Sequence, residues 1–267
     1  MSAKKLSLHH IAYNDATVAG LPPGFVLMDN TDHARDDWRE YWPIRRFLLS
    51  AALDEDCYYG FLSPRFAEKT GQTFASVQAF LDQAPDDVDV IAFSPQPDMG
   101  AFFLNIFEQE ELFQPGFQAV AQSFFDAIGY PVQLAGLVMD SRHVVFSNYQ
   151  IARPRFWRAW LEINEKLFAL CEGEDNPLMR ELNSATAYPG AVPRKVFLQE
   201  RICSLMLATQ AGWKSKLFDT FQLAWSASRL NQFQHEAVLS DALKIAMREQ
   251  GYPEYLSAFA QLRDKLR

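Results

Sequence analysis

The alternation of short apolar runs with amphipathic segments in the first half of the chain is the feature that most constrains its fold. One such run, Val88–Phe93, follows the turn Pro85–Asp87 and stops at Ser94-Pro95, because proline cannot donate to a sheet ladder. Apolar residues at helical spacing predict amphipathic helices at Ile44–Leu53 and Thr73–Gln83. Further strands are predicted at Leu6–Tyr13, Phe25–Met28 and Tyr58–Leu62. The alternation predicts an α/β layer with parallel strands.

The remainder of the chain is predicted to be richer in helix. Two more strand candidates, Leu134–Met139 and Val144–Tyr149, flank Asp140-Ser141-Arg142. Helices are predicted at Gln114–Ile128, Pro154–Cys171, Met179–Ala187, Val196–Thr209, Lys214–Ser228 and His235–Gln250. The chain therefore divides into an α/β part, residues 1–150, and a mainly helical part, residues 151–267, which we expect to form one continuous domain.

Composition and charge exclude several classes of protein. Hydrophobic residues make up 49% of the chain, enough for a sizeable core, and a net charge of −8 argues against non-specific nucleic-acid binding. Three widely spaced cysteines form no metal motif and are expected to be reduced thiols. No signal peptide and no run of ~20 apolar residues is recognised. We therefore expect a cytoplasmic protein, with peripheral attachment to a complex at the inner membrane left open.

Common catalytic and cofactor motifs are absent. The sequence has no P-loop, GxGxxG, GxSxG, HExxH or CxxC. Asp87-Val88-Asp89 has the spacing of a metal-binding pair, but it precedes the strand and suits a turn cap better. The other end of that strand carries Ser94-Pro95, where a metal-binding pair would be useful. We therefore predict no cofactor and no dedicated metal site, with divalent-metal binding left as an unsupported alternative.

The ends of the predicted strands are the first candidates for a site. Ligands of open α/β sheets bind outside the carboxyl ends of the strands. We therefore expect one cleft lined by the residues at four such ends, Tyr13, Asn30, Ser63 and Ser94. The polar segment after the Val88 strand adds Asn105 and Glu108 as candidate binding residues.

Basic residues near these loops are candidates for binding phosphate. Arg39, Arg45 and Lys69 lie in or beside the polar loops, as do Arg35 and Arg65. Guanidinium forks and ammonium groups neutralise a diphosphate leaving group without a metal. The competing interpretation is surface ion pairing with Asp36, Asp37, Glu40 and Glu68.

The charged pair Glu200-Arg201 interrupts an otherwise apolar helical stretch, FLQERICSLML. The functional interpretation makes Glu200 a general base whose pKa is raised by a semi-apolar surrounding. Arg201 would then hold a phosphate or fix Glu200. The competing interpretation is a buried structural ion pair.

Several stretches together resemble a group of bacterial glycosyltransferase-like proteins of surface-polysaccharide pathways. They are Trp38–Arg45, Tyr58–Gly71, Asp87–Pro95, Asn105–Gln109, Ser147–Leu161 and Phe197–Leu207, and the resemblance spans about Ile11 to Leu207. Their order is also similar to small galactose- and galactofuranose-transferase-like proteins. The resemblance implies a Rossmann-like, A-type glycosyltransferase fold. Such enzymes usually carry Asp-x-Asp after the central strand, and this chain departs from that pattern at Ser94-Pro95.

The resemblance also implies substrates. Residues 1–150 would bind a nucleotide-sugar donor, and residues 151–267 would supply acceptor elements. A glycan or lipid-linked acceptor would dock against Ser147–Trp160, where aromatic side chains can stack on a sugar ring. The candidate contacts there are Asn148, Tyr149 and Trp157, with Phe156 and Trp160 beside them. At helical spacing, the aromatic residues equally suit a core.

Two other functions compete with the transferase. The lack of a paired carboxylate after the Val88 strand favours a non-catalytic interaction subunit of a polysaccharide assembly complex with the same fold. A weaker alternative is a metal-independent hydrolase that uses Asp140 and His143, for which the sequence offers no nucleophile motif.

Overall fold

A single six-stranded mixed sheet organises the molecule, which the computed structural model describes over residues 3–264. The strands are β1 (Lys5–Ala12), β2 (Val26–Asp29), β3 (Cys57–Leu62), β4 (Val90–Ala92), β5 (Gln150–Ala152) and β6 (Ser215–Leu217). Their order is β2-β1-β3-β5-β4-β6. Only β5 is antiparallel to its neighbours, β3 and β4, and the other pairs are parallel.

Thirteen α-helices connect and cover these strands within residues 3–264. The first seven are α1 (Asp15–Ala19), α2 (Tyr41–Ser50), α3 (Phe66–Thr70), α4 (Phe74–Asp82), α5 (Pro97–Ala101), α6 (Ile106–Glu110) and α7 (Phe117–Ala127). The others are α8 (Pro154–Cys171), α9 (Pro177–Asn183), α10 (Arg194–Glu200), α11 (Ile202–Thr209), α12 (Gln234–Gln250) and α13 (Pro253–Asp264). Capping boxes at Asn14 and Thr73 begin α1 and α4.

Both faces of the sheet are covered, as parallel strands require. Alternate residues of β3 show this directly: Tyr59 and Phe61 belong to the larger core, whereas Tyr58 and Leu62 belong to the smaller one. At Gly60 an added Cβ would lie 2.7 Å from Ile151 Cγ1. The centre of the sheet therefore needs a glycine for β5 to approach β3.

The structure confirms the α/β class and most of the predicted elements of residues 1–92. β1 to β4, α2 and α4 all lie within two or three residues of the predicted bounds, and α8 spans Pro154–Cys171 as predicted. Within the described residues, no helix is long and apolar enough to cross a bilayer.

Two predicted strands are wrong. Leu134–Met139 forms only a short 3-10 turn, because side chains take its backbone groups: Asn105 donates to the carbonyls of Leu134 and Leu137. Val144–Tyr149 is irregular, because Ser147 and Asn148 have positive φ angles of 61° and 54°. A strand begins only at Gln150, the first residue of β5.

Two predicted helices are also wrong in part. The stretch Val196–Thr209 forms two helices, α10 and α11, which meet at Arg201. The stretch Lys214–Ser228 instead contains β6 and a 3-10 turn, because the carbonyl of Lys214 accepts from the backbone of Asp89 at 2.7 Å. Strand pairing with β4 outweighs helix propensity there. The short helices α3, α5 and α6, and also α13, were not predicted, and α9 ends before the predicted Ala187.

Candidate active site

The carboxyl ends of the parallel strands meet at one edge of the sheet. Tyr13, Asn30, Ser63 and Ser94 follow β1, β2, β3 and β4, so all four lie at this edge, as predicted. The antiparallel β5 starts at the same edge. Its approach therefore delivers the segment 147–149 to the ends of the other strands.

A polar cluster gathers at this edge, and we call it the carboxyl-edge cluster. Its members are Tyr13, Glu40, Lys69, Ser147, Asn148, Tyr149 and Glu200. At its centre is Glu40, just before α2. The Tyr13 hydroxyl donates to Glu40 Oε1 at 2.8 Å, and the Asn148 side chain also bonds to this carboxyl. Burial nevertheless raises the pKa of Glu40 above its ordinary value.

The second carboxyl of the cluster belongs to Glu200, the last residue of α10. Burial and the nearby Glu40 raise its pKa to about 7, and opposing charges on Arg201 and Lys69 do not cancel this effect. The direction of this shift is the one that the sequence analysis expects for Glu200. Glu200, Glu40 and Tyr13 each keep some exposed surface, so the cluster lies at the border of the protein with solvent.

Amide groups fix α10 against the start of β5. Gln199, which is buried, donates from Nε2 to Asn148 Oδ1 at 3.3 Å. Since Asn148 also bonds to Glu40, one side chain links the elements that carry the two carboxyls. This link holds Glu40 and Glu200 in the same cluster.

Lysine and tyrosine complete the cluster. Lys69 Nζ donates to Ser147 Oγ at 3.0 Å, and burial lowers the pKa of Lys69 despite the opposing effect of the two carboxyls. The Tyr149 hydroxyl lies 2.9 Å from Ser63 Oγ. Burial raises the pKa of both tyrosines, so Tyr13 and Tyr149 are neutral hydrogen-bonding groups.

Strained backbone surrounds the cluster. Besides Ser147 and Asn148, Arg39 has a positive φ of 47°, an unfavourable conformation for a residue with a Cβ. Such strain is concentrated at functional sites in proteins. The Arg39 guanidinium reaches the loop at Gly190, where an added Cβ would lie 3.1 Å from Nη2. Within residues 3–264, its side chain forms no hydrogen bond or ion pair, so it can bind a ligand.

The carboxyl-edge cluster therefore combines three chemical capacities. The Glu200 carboxyl, with a pKa about 7, can take up or release a proton near neutrality. The hydroxyls of Tyr13 and Ser147, which keep some exposed surface, can orient a polyhydroxylated substrate, whereas Asn148 and Tyr149 are buried and support them from behind. Lys69 and Arg39 can neutralise negative charge on a leaving group.

The raised pKa of Glu200 predicts a pH-dependent effect on stability. Its ordinary pKa is 4.5, so between about pH 4.5 and 7 the folded protein loses stability relative to a variant without this carboxyl. We expect Glu200→Gln to raise the free energy of unfolding by roughly 1–3 kcal/mol above pH 7, and not below about pH 4.5. Urea unfolding of both proteins across this range measures the difference. A difference that does not change with pH would contradict the assignment.

Two candidate residues lie in the packing between helices and sheet. Arg45 forms a two-point ion pair with Glu165, at 2.6 and 2.8 Å, and its guanidinium also lies over the ring of Phe168. Trp157 is fully buried and donates from Nε1 to the carbonyl of Tyr59 at 2.9 Å. These contacts join α8 to α2 and β3.

The predicted aromatic platform for the acceptor is wrong. Phe156, Trp157 and Trp160 have no solvent-exposed surface, because α8 packs this face onto the sheet. A sugar ring cannot reach them. The alternative interpretation, that their helical spacing indicates a core, is confirmed.

The three candidates around β4 and α6 also form internal contacts. The Ser94 hydroxyl accepts from the backbone of Phe146 at 3.1 Å. Asn105 caps α6 by accepting from two of its backbone N–H groups. Glu108 accepts from Arg263 at 2.8 Å and from the backbone of Leu104 at 2.6 Å.

Arg201 and Asn30 stand apart from the hydrogen bonds of the cluster. Arg201 is buried, pairs with the buried Glu110, and donates to the carbonyls of Ile106 and Phe197 at 2.9 and 2.7 Å. Most of its donors are thus used within the fold. Asn30 is buried after β2, with its backbone N–H bonded to Ala12.

Sequence reasoning missed three members of the site. Glu40 was considered only as an ion-pair partner, and Gln199 and Ser147 were not singled out. The signal that was available is the position of Glu40 between Arg39 and the aromatic start of α2, in an unusually polar loop. The positive φ at Arg39 and Ser147 leaves no trace in the sequence.

The acidic pair Asp87 and Asp89 lies at the opposite edge of the sheet, at the start of β4. Asp89 is buried in an ion pair with Arg155, and Asp87 pairs with Lys214. These carboxylates therefore connect the start of β4 to α8 and to the segment before β6. No group of three potential metal-ligating residues occurs in the described part of the chain.

Comparisons with known proteins add no relative to this description. No protein-family model, no curated protein and no solved structure matches the chain.

Proposed function

We propose that the protein is a glycosyltransferase that moves a sugar from a nucleotide-activated donor to a hydroxyl of a glycan or lipid-linked acceptor. The observation that carries the proposal is the Glu200 carboxyl, whose pKa is raised to about 7, beside Glu40 and Lys69 at the carboxyl edge of the sheet. An A-type glycosyltransferase fold and a cytoplasmic location beside the inner membrane belong to this proposal. The mostly parallel sheet is compatible with that fold.

In the proposed reaction, Glu200 is the general base. Its carboxylate takes the proton of the acceptor hydroxyl as the acceptor oxygen bonds to the anomeric carbon of the donor. The bond from that carbon to the diphosphate oxygen breaks, and its electron pair leaves with the diphosphate. Burial, and after it the nearby Glu40, keeps the pKa of Glu200 high enough for this proton transfer.

Positive side chains stabilise the leaving group in this proposal. Lys69 lies in the cluster, and Arg39 is half-buried at its border without an internal partner. Lys69 and Arg39 can neutralise the diphosphate directly. Arg65 is exposed nearby, where its guanidinium pairs with Glu68 at 2.8 Å.

A non-catalytic interaction subunit is the second candidate. One observation favours it: β4 is followed by Ser94, whose hydroxyl and carbonyl both have internal partners, and not by a free acidic pair. This interpretation predicts that no donor binds at the carboxyl-edge cluster.

Thermal shift with a panel of nucleotide sugars tests the proposal. We expect one class of donor to raise the melting temperature, and the increase to survive EDTA because lysine and arginine bind the diphosphate. Lys69→Gln should weaken donor binding about tenfold, the equivalent of about 1.4 kcal/mol. Lys166→Gln, on the exposed face of α8, is the matched control.

Two results would contradict the proposed binding. Loss of the shift in EDTA and its return with manganese or magnesium would show that a metal holds the donor. Absence of a shift with every donor would support the interaction subunit.

A further inference from the structure

A groove runs beside β6, on the other half of the sheet from the carboxyl-edge cluster. We call it the β6 groove, and its cavity volume is about 570 Å³. It is lined by Ser141, Arg142, His143, the segment 207–211, Trp213, Ser215, the segment 217–221, Arg248 and Glu249. A groove of this size can accommodate a ligand of a few sugar rings.

An Asp–His pair forms part of its wall. Asp140 is fully buried, and His143 Nδ1 lies 3.1 Å from its Oδ1. Despite burial, the bonds from His143 and Arg142 hold the pKa of Asp140 far below its ordinary value, so it stays ionised. The Asp140 carboxylate thus lies beside Nδ1, and the other ring nitrogen, Nε2, has no hydrogen-bond partner within residues 3–264 and can bond to a hydroxyl.

The charges of the groove favour a neutral ligand. Arg142 and Arg248 supply positive charge, whereas Asp219 and Glu249 supply negative charge in the same lining. An anionic ligand would meet two carboxylates, and a cationic ligand would meet two guanidinium groups. A polyhydroxylated ligand can donate to the former and accept from the latter.

Two further features suit a carbohydrate. Trp213 is half-buried and lines the groove. Arg155 lies 5.3 Å from the centroid of its ring and its Nε1 donates to Gln210, so the indole surface left at the groove is what packs against the apolar C–H face of a sugar ring. β6 is the edge strand, and since Lys214 and Phe218 bond to β4, the backbone groups of Ser215 and Leu217 point away from it. Sugar hydroxyls can satisfy these edge groups.

We propose that the β6 groove is a binding site for a neutral oligosaccharide chain, held by Trp213, His143 and Glu249. If the chain is the acceptor glycan, this inference rests on the proposed function. Glycan binding itself does not depend on it. The sequence predicts a sugar site at the aromatic residues of α8, which are buried. The groove offers a surface that a sugar can reach in their place.

Binding is tested by NMR with separate neutral hexaoses of glucose, galactose and mannose, without any nucleotide. The indole N–H resonance of Trp213, identified by its loss in Trp213→Phe, should shift on addition of at least one hexaose. Glu249→Ala should weaken that binding about tenfold, since its exposed carboxylate has only Arg142 as an ion-pair partner in the described chain. Glu162→Ala on α8 is the matched exposed control.

A comparison with Glu200→Gln separates the two sites. We expect this variant to bind the hexaose as wild type does, whether or not any nucleotide sugar binds. Loss of hexaose binding in Glu200→Gln but not in Glu249→Ala would place the glycan in the carboxyl-edge cluster and overturn the proposal. The absence of a Trp213 shift with every hexaose would also overturn it. So would a control titration with an extended peptide, if the peptide shifts the β6 amide resonances and no hexaose does.

Discussion

Glu200→Gln should lose about 10²–10⁴-fold in turnover while keeping donor affinity, because the amide preserves the shape of the side chain but cannot take a proton. Turnover is measured as release of nucleoside diphosphate from the donor that the thermal-shift screen identifies. In the wild type, kcat/KM should rise with pH to a plateau above about 7, where the Glu200 carboxyl is ionised.

The controls for this variant exclude an indirect loss. Glu162→Gln makes the same chemical change on the exposed face of α8 and should keep full turnover. Because Glu200→Gln is expected to gain stability above pH 7, reduced activity cannot be attributed to unfolding. Normal turnover of Glu200→Gln would show that another group is the base.

Arg201→Met should cost about 3–5 kcal/mol of unfolding free energy, because it leaves the buried Glu110 carboxylate without its partner. The substitution also removes the donors that satisfy the carbonyls of Ile106 and Phe197. Urea unfolding measures the change. Arg158→Met, which removes an exposed partner of Glu55, should cost less than about 1 kcal/mol.

A double variant separates structure from ligand binding at Arg201. In Arg201→Met/Glu110→Leu, two apolar side chains replace the ion pair, and we expect part of the lost stability to return. If Arg201 is structural, the folded double variant binds the nucleotide sugar as well as wild type. Loss of donor binding by this folded variant would show that Arg201 holds phosphate.

Local patterns were sufficient for much of the fold. Strands β1, β3 and β4 are apolar runs bounded by turn residues, and Pro154 marks the start of α8. The failures share a cause, because tertiary contacts replaced local preference. β6 forms because Lys214 pairs with the backbone of Asp89, and no local signal reveals a partner so distant in sequence.

The site was predictable only in part. The carboxyl-end rule selected Tyr13 and Ser63, and the charged residue in an apolar helix selected Glu200. Glu40 lay hidden among the many charges of its loop, since nothing local separates a buried carboxylate from an exposed one. Arg201 shows the converse: its position beside Glu200 indicated shared chemistry, whereas successive residues on a helix point about 100° apart.

The placement of β5 has a consequence for how the chain acquires its fold. This strand lies between β3 and β4, although it follows β4 by more than fifty residues, and β6 arrives later still. During synthesis, the edges of β3 and β4 that face β5 therefore have no partner until β5 has left the ribosome. The loop that must close to form these contacts is long, which slows folding and exposes apolar strands to aggregation. A fragment that ends near residue 149 would lack β5 and β6, and the edges of β3 and β4 that face β5 would have no partner in it.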